Sequence, residues 1–269
     1  MHELLDLLRA GENEYVGIGV EYPWGGLFGG HIVAQALRAA GLTVAAGFLP
    51  HSLRAYFIRP GEHKEVVRYE VDPIRDGRSF ATRRVVARQP GGAILNLEAS
   101  FQRAEDPFEV SPIGMATGIP NPDECEKDSW SNLFHRHWVP RKVMPQVSPR
   151  DGAGRAIAWL KVTSDIGDDP LLQACALAYI SDAVPTDAVI RAHPVLDQIV
   201  LNGGDVFNAS LDHSMWFHRP IRADEWNLHD ITCHSLINNR GLAVGHVHDM
   251  QGNHICTVAQ EALVRPPRT

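Results

Sequence analysis

Asp182 stands where a carboxylate is poorly served unless it is used. It directly follows the run Leu171-Leu172-Gln173-Ala174-Cys175-Ala176-Leu177-Ala178-Tyr179-Ile180, in the context Ser181-Asp182-Ala183-Val184-Pro185. That run is apolar on almost every face, so the helix it predicts should be buried all round. A carboxylate at a helix C-terminus faces the negative end of the macrodipole. Apolar surroundings also raise its pKa by desolvation. Both effects push Asp182 towards general-base chemistry, and the competing reading is a turn-forming Asp ahead of a proline. Gln260 is the second unusual position. Strand alternation puts Cys256, Val258, Gln260, Ala262 and Val264 on one face. An amide on that apolar face must find partners or cost about 1–3 kcal/mol. It is either a satisfied core glutamine or part of a site. Ser210 begins the expected strand Ser210 to His218 and is, taken alone, an ordinary strand-initiating serine.

Histidine invites a metal reading, because His213 and His218 lie close in sequence, as do His246 and His248. In an extended strand His213 and His218 point to opposite faces. His246 and His248 share a face without a third ligand nearby in sequence, so no metal site is expected. The chain has no GxSxG elbow, Walker loop, GxGxxG or HExxH motif. A hydrolase built on these residues would activate water rather than a serine nucleophile. No cofactor is called for.

The elements that must position these residues form a repeat. Tyr56-Phe57-Ile58-Arg59-Pro60 recurs as Trp216-Phe217-His218-Arg219-Pro220. Downstream of each copy come a long strand, a Gly-containing turn and a second long strand, from Arg78 to Arg103 and from Arg240 to Arg265. Upstream of each lies a small-residue helical run, Gly30 to Ala40 and Leu171 to Ser181. This order implies two homologous modules in one polypeptide. The expected division is 1–105 for the first module, 106–150 for a linker rich in Pro, Asp, Asn and Ser, and 151–269 for the second. A short N-terminal helix is expected from Glu3 to Arg9, and another near Trp130 to Phe134. In the first long helix, His31, Gln35 and Arg38 form a polar stripe. The pattern as a whole predicts an α+β fold with antiparallel sheets.

At 269 residues and 44% apolar composition the chain can bury a substantial core. Its net charge of -7 argues against a nucleic-acid partner. No apolar run spans a bilayer, and the acidic, amphipathic start is unlike a signal or transit peptide. The end, Pro267-Arg268-Thr269, carries no peroxisomal or retention signal. Cys125, Cys175, Cys233 and Cys256 lie far apart and read as reduced thiols. A cytoplasmic protein without membrane insertion is expected.

Four segments together resemble the acyl-CoA thioesterase II family. They are Gly29-Gly30-His31-Ile32-Val33-Ala34-Gln35-Ala36-Leu37, His51 to Gly61, Arg75-Asp76-Gly77-Arg78-Ser79-Phe80 and Asp212 to Pro220. The resemblance implies a tandem (double) hotdog, with two curved antiparallel sheets each wrapped around a central helix. It also implies hydrolysis of acyl-CoA to free fatty acid and coenzyme A. The family's Asp, Thr or Ser, and Gln fall on Asp182, Ser210 and Gln260, with Ser here where many relatives have Thr. These three would hold and activate the attacking water, giving one catalytic centre in the second module. Backbone N–H groups near Gly29 and Gly30 could serve the oxyanion. His31, where relatives commonly have Gln, could line the site. Two alternatives remain at this stage: a non-catalytic acyl-CoA-binding module, and a dehydratase or hydratase of β-hydroxyacyl thioesters using His213 or His31 beside an acid. A monomer with its halves paired internally and a homodimer of the fused chain both fit.

Overall fold

The computed structural model describes residues 1–105, 108–143 and 154–266. Helix α1 (His2–Leu5) is followed by strands β1 (Leu8–Gly11) and β2 (Glu14–Gly17), then by the long helix α2 (Gly29–Gly41). Strands β3 (Phe48–Phe57), β4 (Val67–Asp76), β5 (Phe80–Gln89) and β6 (Gly92–Arg103) complete the first half. The second half holds β7 (Glu126–Lys127), β8 (Phe134–Trp138), β9 (Arg155–Val162) and helix α3 (Pro170–Ser181). Helices α4 (Pro185–Arg191) and α5 (Pro194–Leu201) then precede β10 (Phe207–Ser210), β11 (Asp212–Phe217), β12 (Asn227–Ile237), β13 (Arg240–His248) and β14 (His254–Arg265).

The strands form one antiparallel sheet in the order β1-β2-β4-β5-β6-β3-β11-β14-β13-β12-β9-β8-β7, with β10 also paired to β14. First-half strands lie on one side of the β3–β11 seam and second-half strands on the other. The seam carries the repeated motif. Ser214, which the repeat makes equivalent to Arg54, is paired with Arg54 itself, flanked by Asp212 opposite Tyr56 and Trp216 opposite Ser52. The two copies therefore meet about a local two-fold relation, which lets each half cap the other's edge strand.

Helix α2 lies against β5 and β6, and α3 packs on α2. Helix α3 starts with Pro170 at its first position and Asp169 as N-cap, whose carboxylate accepts from the Leu171 and Leu172 N–H groups. Its residues from Gln173 to Ser181 are all buried, as the apolar run predicts. The polar stripe of α2 turns out to be internal. His31 and Gln35 are fully buried. Gln35 donates to the Leu4 and Ile18 carbonyls and accepts from the Tyr69 hydroxyl. Small residues bring the helices close, since a Cβ on Gly30 would lie 2.1 Å from the Tyr179 carbonyl oxygen.

Three local expectations are corrected. The N-terminal helix ends at Leu5, and Leu8–Gly11 pairs with β2 instead. The helix expected at 130–134 is absent, because Phe134–Trp138 joins the sheet beside β9. Helices α4 and α5 occupy a stretch without assigned structure. The strand expected from Ser210 to His218 is broken at Leu211, whose N–H donates to Glu261 and whose carbonyl accepts from Phe57. Ser210 therefore ends a strand. Within the 106–150 segment, Glu126–Lys127 and Phe134–Trp138 belong to the sheet, while the expected boundary at 150 and 151 lies outside the described residues.

The Gly30 contact yields a stability test. Alanine would gain about 1 kcal/mol of helix propensity, yet its methyl would meet backbone that cannot rotate away. Gly30→Ala should lose 1–3 kcal/mol or somewhat more by denaturant unfolding, the range of overpacking. At Gly41 an added Cβ meets the flexible Leu171 side chain, so Gly41→Ala should be milder. Equal effects would contradict this packing account.

Candidate active site

Asp182 is the C-cap of α3, and its carboxylate sits at the N-terminus of α2. Asp182 Oδ2 accepts from the Gly30 N–H at 2.9 Å. The positive end of α2's dipole thereby offsets the negative end of α3's, which acts on the same group. A Cβ on Gly29 would lie 2.5 Å from Asp182 Oδ2 and 2.9 Å from the Phe57 ring. The two glycines are what let a helix end approach a carboxylate this closely.

The other two residues singled out in sequence converge here. Ser210 Oγ donates to Asp182 Oδ1 at 2.9 Å, and Gln260 Nε2 donates to Ser210 Oγ at 2.8 Å. β10 and β11 lie on either side of the break at Leu211, and both pair with β14. That arrangement puts Ser210 beside Gln260. Gln260 is wholly buried and Asp182 only 6% exposed, whereas Ser210 is half-buried. Approach from outside is therefore through the serine.

Behind this group lies a pair that sequence reasoning did not assign to it. Gln260 Oε1 is 2.5 Å from His213 Nδ1, and His213 Nε2 is 2.8 Å from Ser181 Oγ. The signal available was alternation, since His213 shares the buried face of β11 with Met215 and Phe217. Burial raises the Asp182 pKa above the ordinary carboxylate value. It is opposed by His213, by the bonds from Ser210 and Gln260, and by the Gly30 N–H.

The remaining expected site residues are placed differently. The Gly30 N–H is engaged by Asp182, so the oxyanion role suggested near Gly29 and Gly30 can fall only on Gly29 of that pair. His31 has no hydrogen bond to the group. Its Nε2 donates to the Ile18 carbonyl, and its Nδ1 accepts from Tyr22, whose hydroxyl also meets that of Tyr179. Burial lowers the His31 pKa to about 4. Through Tyr22, His31 is joined to an aromatic cluster that includes Phe28 and Trp130. Elsewhere His246 Nδ1 and His254 Nε2 are 3.3 Å apart. Among the described residues no group of three or more side chains is arranged to hold a metal ion.

Comparison with known proteins gives this geometry a lineage. Residues 20–102 match the family described as acyl-CoA thioesterase N-terminal domain, and residues 110–264 match acyl-CoA thioesterase C-terminal domain. Acyl-CoA thioesterase 2 of Haemophilus influenzae is 30% identical over 98% of this chain and 94% of its own length. The chain belongs to the acyl-CoA thioesterase II family. Human acyl-coenzyme A thioesterase 8 is 35% identical over 89% of this chain and 80% of its own. The crystal structure of an acyl-CoA thioesterase II from Mycobacterium marinum superposes with a TM-score of 0.85 at 33% identity, covering 99% of this chain and 98% of that one. A hot dog protein from Alicyclobacillus acidocaldarius gives a TM-score of 0.78 at 18% identity, covering 99% and 98%. The likeness makes this a hotdog-type fold. Among the described residues no helix is long and apolar enough to cross a membrane.

The raised carboxyl pKa has a thermodynamic consequence. The folded chain keeps the Asp182 proton to higher pH than the unfolded chain does. Its contribution to stability therefore falls as pH rises from the unfolded range, about 4, through the raised value. Asp182→Asn removes that loss. Its Tm relative to the native protein should grow more favourable between pH 4 and neutrality, and a difference that stays constant with pH would contradict the assignment.

Proposed function

We propose that the protein hydrolyses acyl-CoA thioesters with a water molecule activated by Asp182, Ser210 and Gln260. The single observation that carries this reading is the continuous hydrogen-bonded series from Gln260 through Ser210 to a buried carboxylate. Family membership supplies the reaction, and the series supplies the chemistry. Asp182 accepts a proton from the water as its oxygen attacks the thioester carbonyl carbon. Ser210 and Gln260 orient that water and keep the carboxylate aimed. The carbonyl electrons move onto oxygen, where the Gly29 N–H at the positive end of α2 stabilises them. Collapse breaks the carbon–sulfur bond, and the leaving thiolate takes the proton back from Asp182. Positioned proton transfer of this kind contributes roughly 10²–10⁴-fold.

The reading includes the fold in its finer form. The two halves are taken as tandem hotdog modules centred on α2 and α3, divided within 106–150, with the catalytic residues in the second. A cytoplasmic location and association into a homodimer belong to the same proposal, supported by unpaired cysteines and by the expectation that such modules pair sheets. The dehydratase alternative loses support, because neither His213 nor His31 is hydrogen-bonded to an acid.

Release of free thiol from octanoyl- or palmitoyl-CoA tests the proposal. Asp182→Asn should lower kcat by at least about 10³-fold, with a smaller loss, about 10–100-fold, for Ser210→Ala. Native protein that binds acyl-CoA without releasing thiol would point to a binding module. An Asp182→Asn variant of native activity would remove Asp182 from the mechanism.

A further inference from the structure

We infer that His213 is a positioning residue for hydrolysis, one that sets which end of the Gln260 amide faces Ser210. The inference rests on the catalytic reading above and adds a residue outside it. An amide side chain can point either way at little intrinsic expense, and here the orientation decides function. An ionised carboxylate only accepts, so Ser210 must donate its single proton to Asp182. The serine oxygen then has to accept from its other neighbour, which requires the NH₂ end of Gln260. Rotated by half a turn, Gln260 would offer its carbonyl instead. It would compete with Asp182 for the serine proton, and the carboxylate would lose a donor.

An Nδ1–H on His213 holds the amide in the observed form. With the amide oriented as observed, Gln260 Oε1 faces His213 Nδ1 at 2.5 Å, and that nitrogen must carry a proton. The ring's Nε2 lies 2.8 Å from the Ser181 hydroxyl, which is also 2.9 Å from the Ala178 carbonyl. Ser181 is the residue before Asp182 on α3. The series therefore begins and ends on adjacent residues: Ser181 to His213, to Gln260, to Ser210, to Asp182. With Gln260 reversed, its NH₂ group would confront the Nδ1–H, and the contact could be restored only if the ring moved its proton to Nε2 and Ser181 gave its own to the Ala178 carbonyl. His213 and Gln260 are wholly buried, so water cannot relieve that mismatch.

The duplicated architecture provides an internal control. The repeat that matches Tyr56 with Trp216 matches Leu53 with His213. In the first half Leu53 is paired across the sheet with Ala99. In the second, Ser214 is paired with Ala259, and the next step places His213 beside Gln260. The fold therefore accepts an apolar pair at these two positions, and both Leu53 and Ala99 are buried. The half without the helix-capping acid has Leu and Ala; the half with it has His and Gln. His213 accompanies the site rather than the fold.

His213→Leu and His213→Asn test this with acyl-CoA hydrolysis. The Asn amide can present an N–H close to where Nδ1 stands, and Ser181 can then turn to the Ala178 carbonyl 2.9 Å away. His213→Leu should lower kcat about 10–100-fold with KM little changed, since His213 does not touch substrate. His213→Asn should recover most of that loss. ¹⁵N spectra of native protein labelled in histidine should show His213 protonated at Nδ1, a readout that needs no variant to fold. Leu and Asn variants of equal activity, or a ring protonated only at Nε2, would overturn the inference. Asp182→Asn in the same assay separates the two levels. If it is inactive while His213→Leu is fully active, only the His213 role falls; if it is active, the catalytic reading and this one fall together.

Discussion

The site depends on one close approach, that of the N-terminus of α2 to the carboxylate closing α3. Asp182 is buried and at the wrong end of its own helix, two circumstances that each disfavour its charge. It is tolerated because a second helix presents a positive end and a backbone N–H at hydrogen-bond distance. Only glycine at positions 29 and 30 leaves room for that contact. The balance leaves the carboxyl group shifted upward yet held by donors on both oxygens. Such a group can ionise and can take back a proton, which is what a general base in a dry site requires.

On the proposed reading, this arrangement gives a chain with a repeated motif a single centre. The base, the hydroxyl and the amide come from the second half, while the helix end that steadies the base comes from the first. The reciprocal junction, where α3 begins and α2 ends, has Gly41 and Leu171 in contact and no acid at the end of α2. One half supplies chemistry and the other supplies field. The seam between β3 and β11 holds the two in register, so the site forms only when both halves are in place.

Much of this was legible in the sequence, for identifiable reasons. The Leu171–Ile180 run had to be a buried helix because no face of it is polar. Asp182 and Gln260 stood out as polar groups in apolar settings. Their convergence on Ser210 came from the family resemblance, since Ser210 shows no local anomaly. What stayed hidden was tertiary. His31 and Gln35 read as a polar stripe, and helical spacing cannot reveal that Leu4, Ile18 and Tyr69 cover that side. His213 lay on the apolar face of β11 by simple alternation, but its partner is on another strand far along the chain. Leu8–Gly11 and Phe134–Trp138 became strands because edges of the sheet were there to receive them. Helices α4 and α5 are too short for periodicity to register.

The central claim is that the buried Asp182 carboxylate, steadied by Ser210, removes the proton from the attacking water. The most direct measurement is the pH dependence of single-turnover thioester cleavage in native protein and in Ser210→Ala. Activity should rise with pH along a limb lying above the ordinary carboxylate range, because burial holds the proton on Asp182. Removing the serine donor takes away a bond to the ionised form, so the limb should move to still higher pH. A limb that lies in the ordinary carboxylate range, or one that stays put when Ser210 is replaced, would contradict the account.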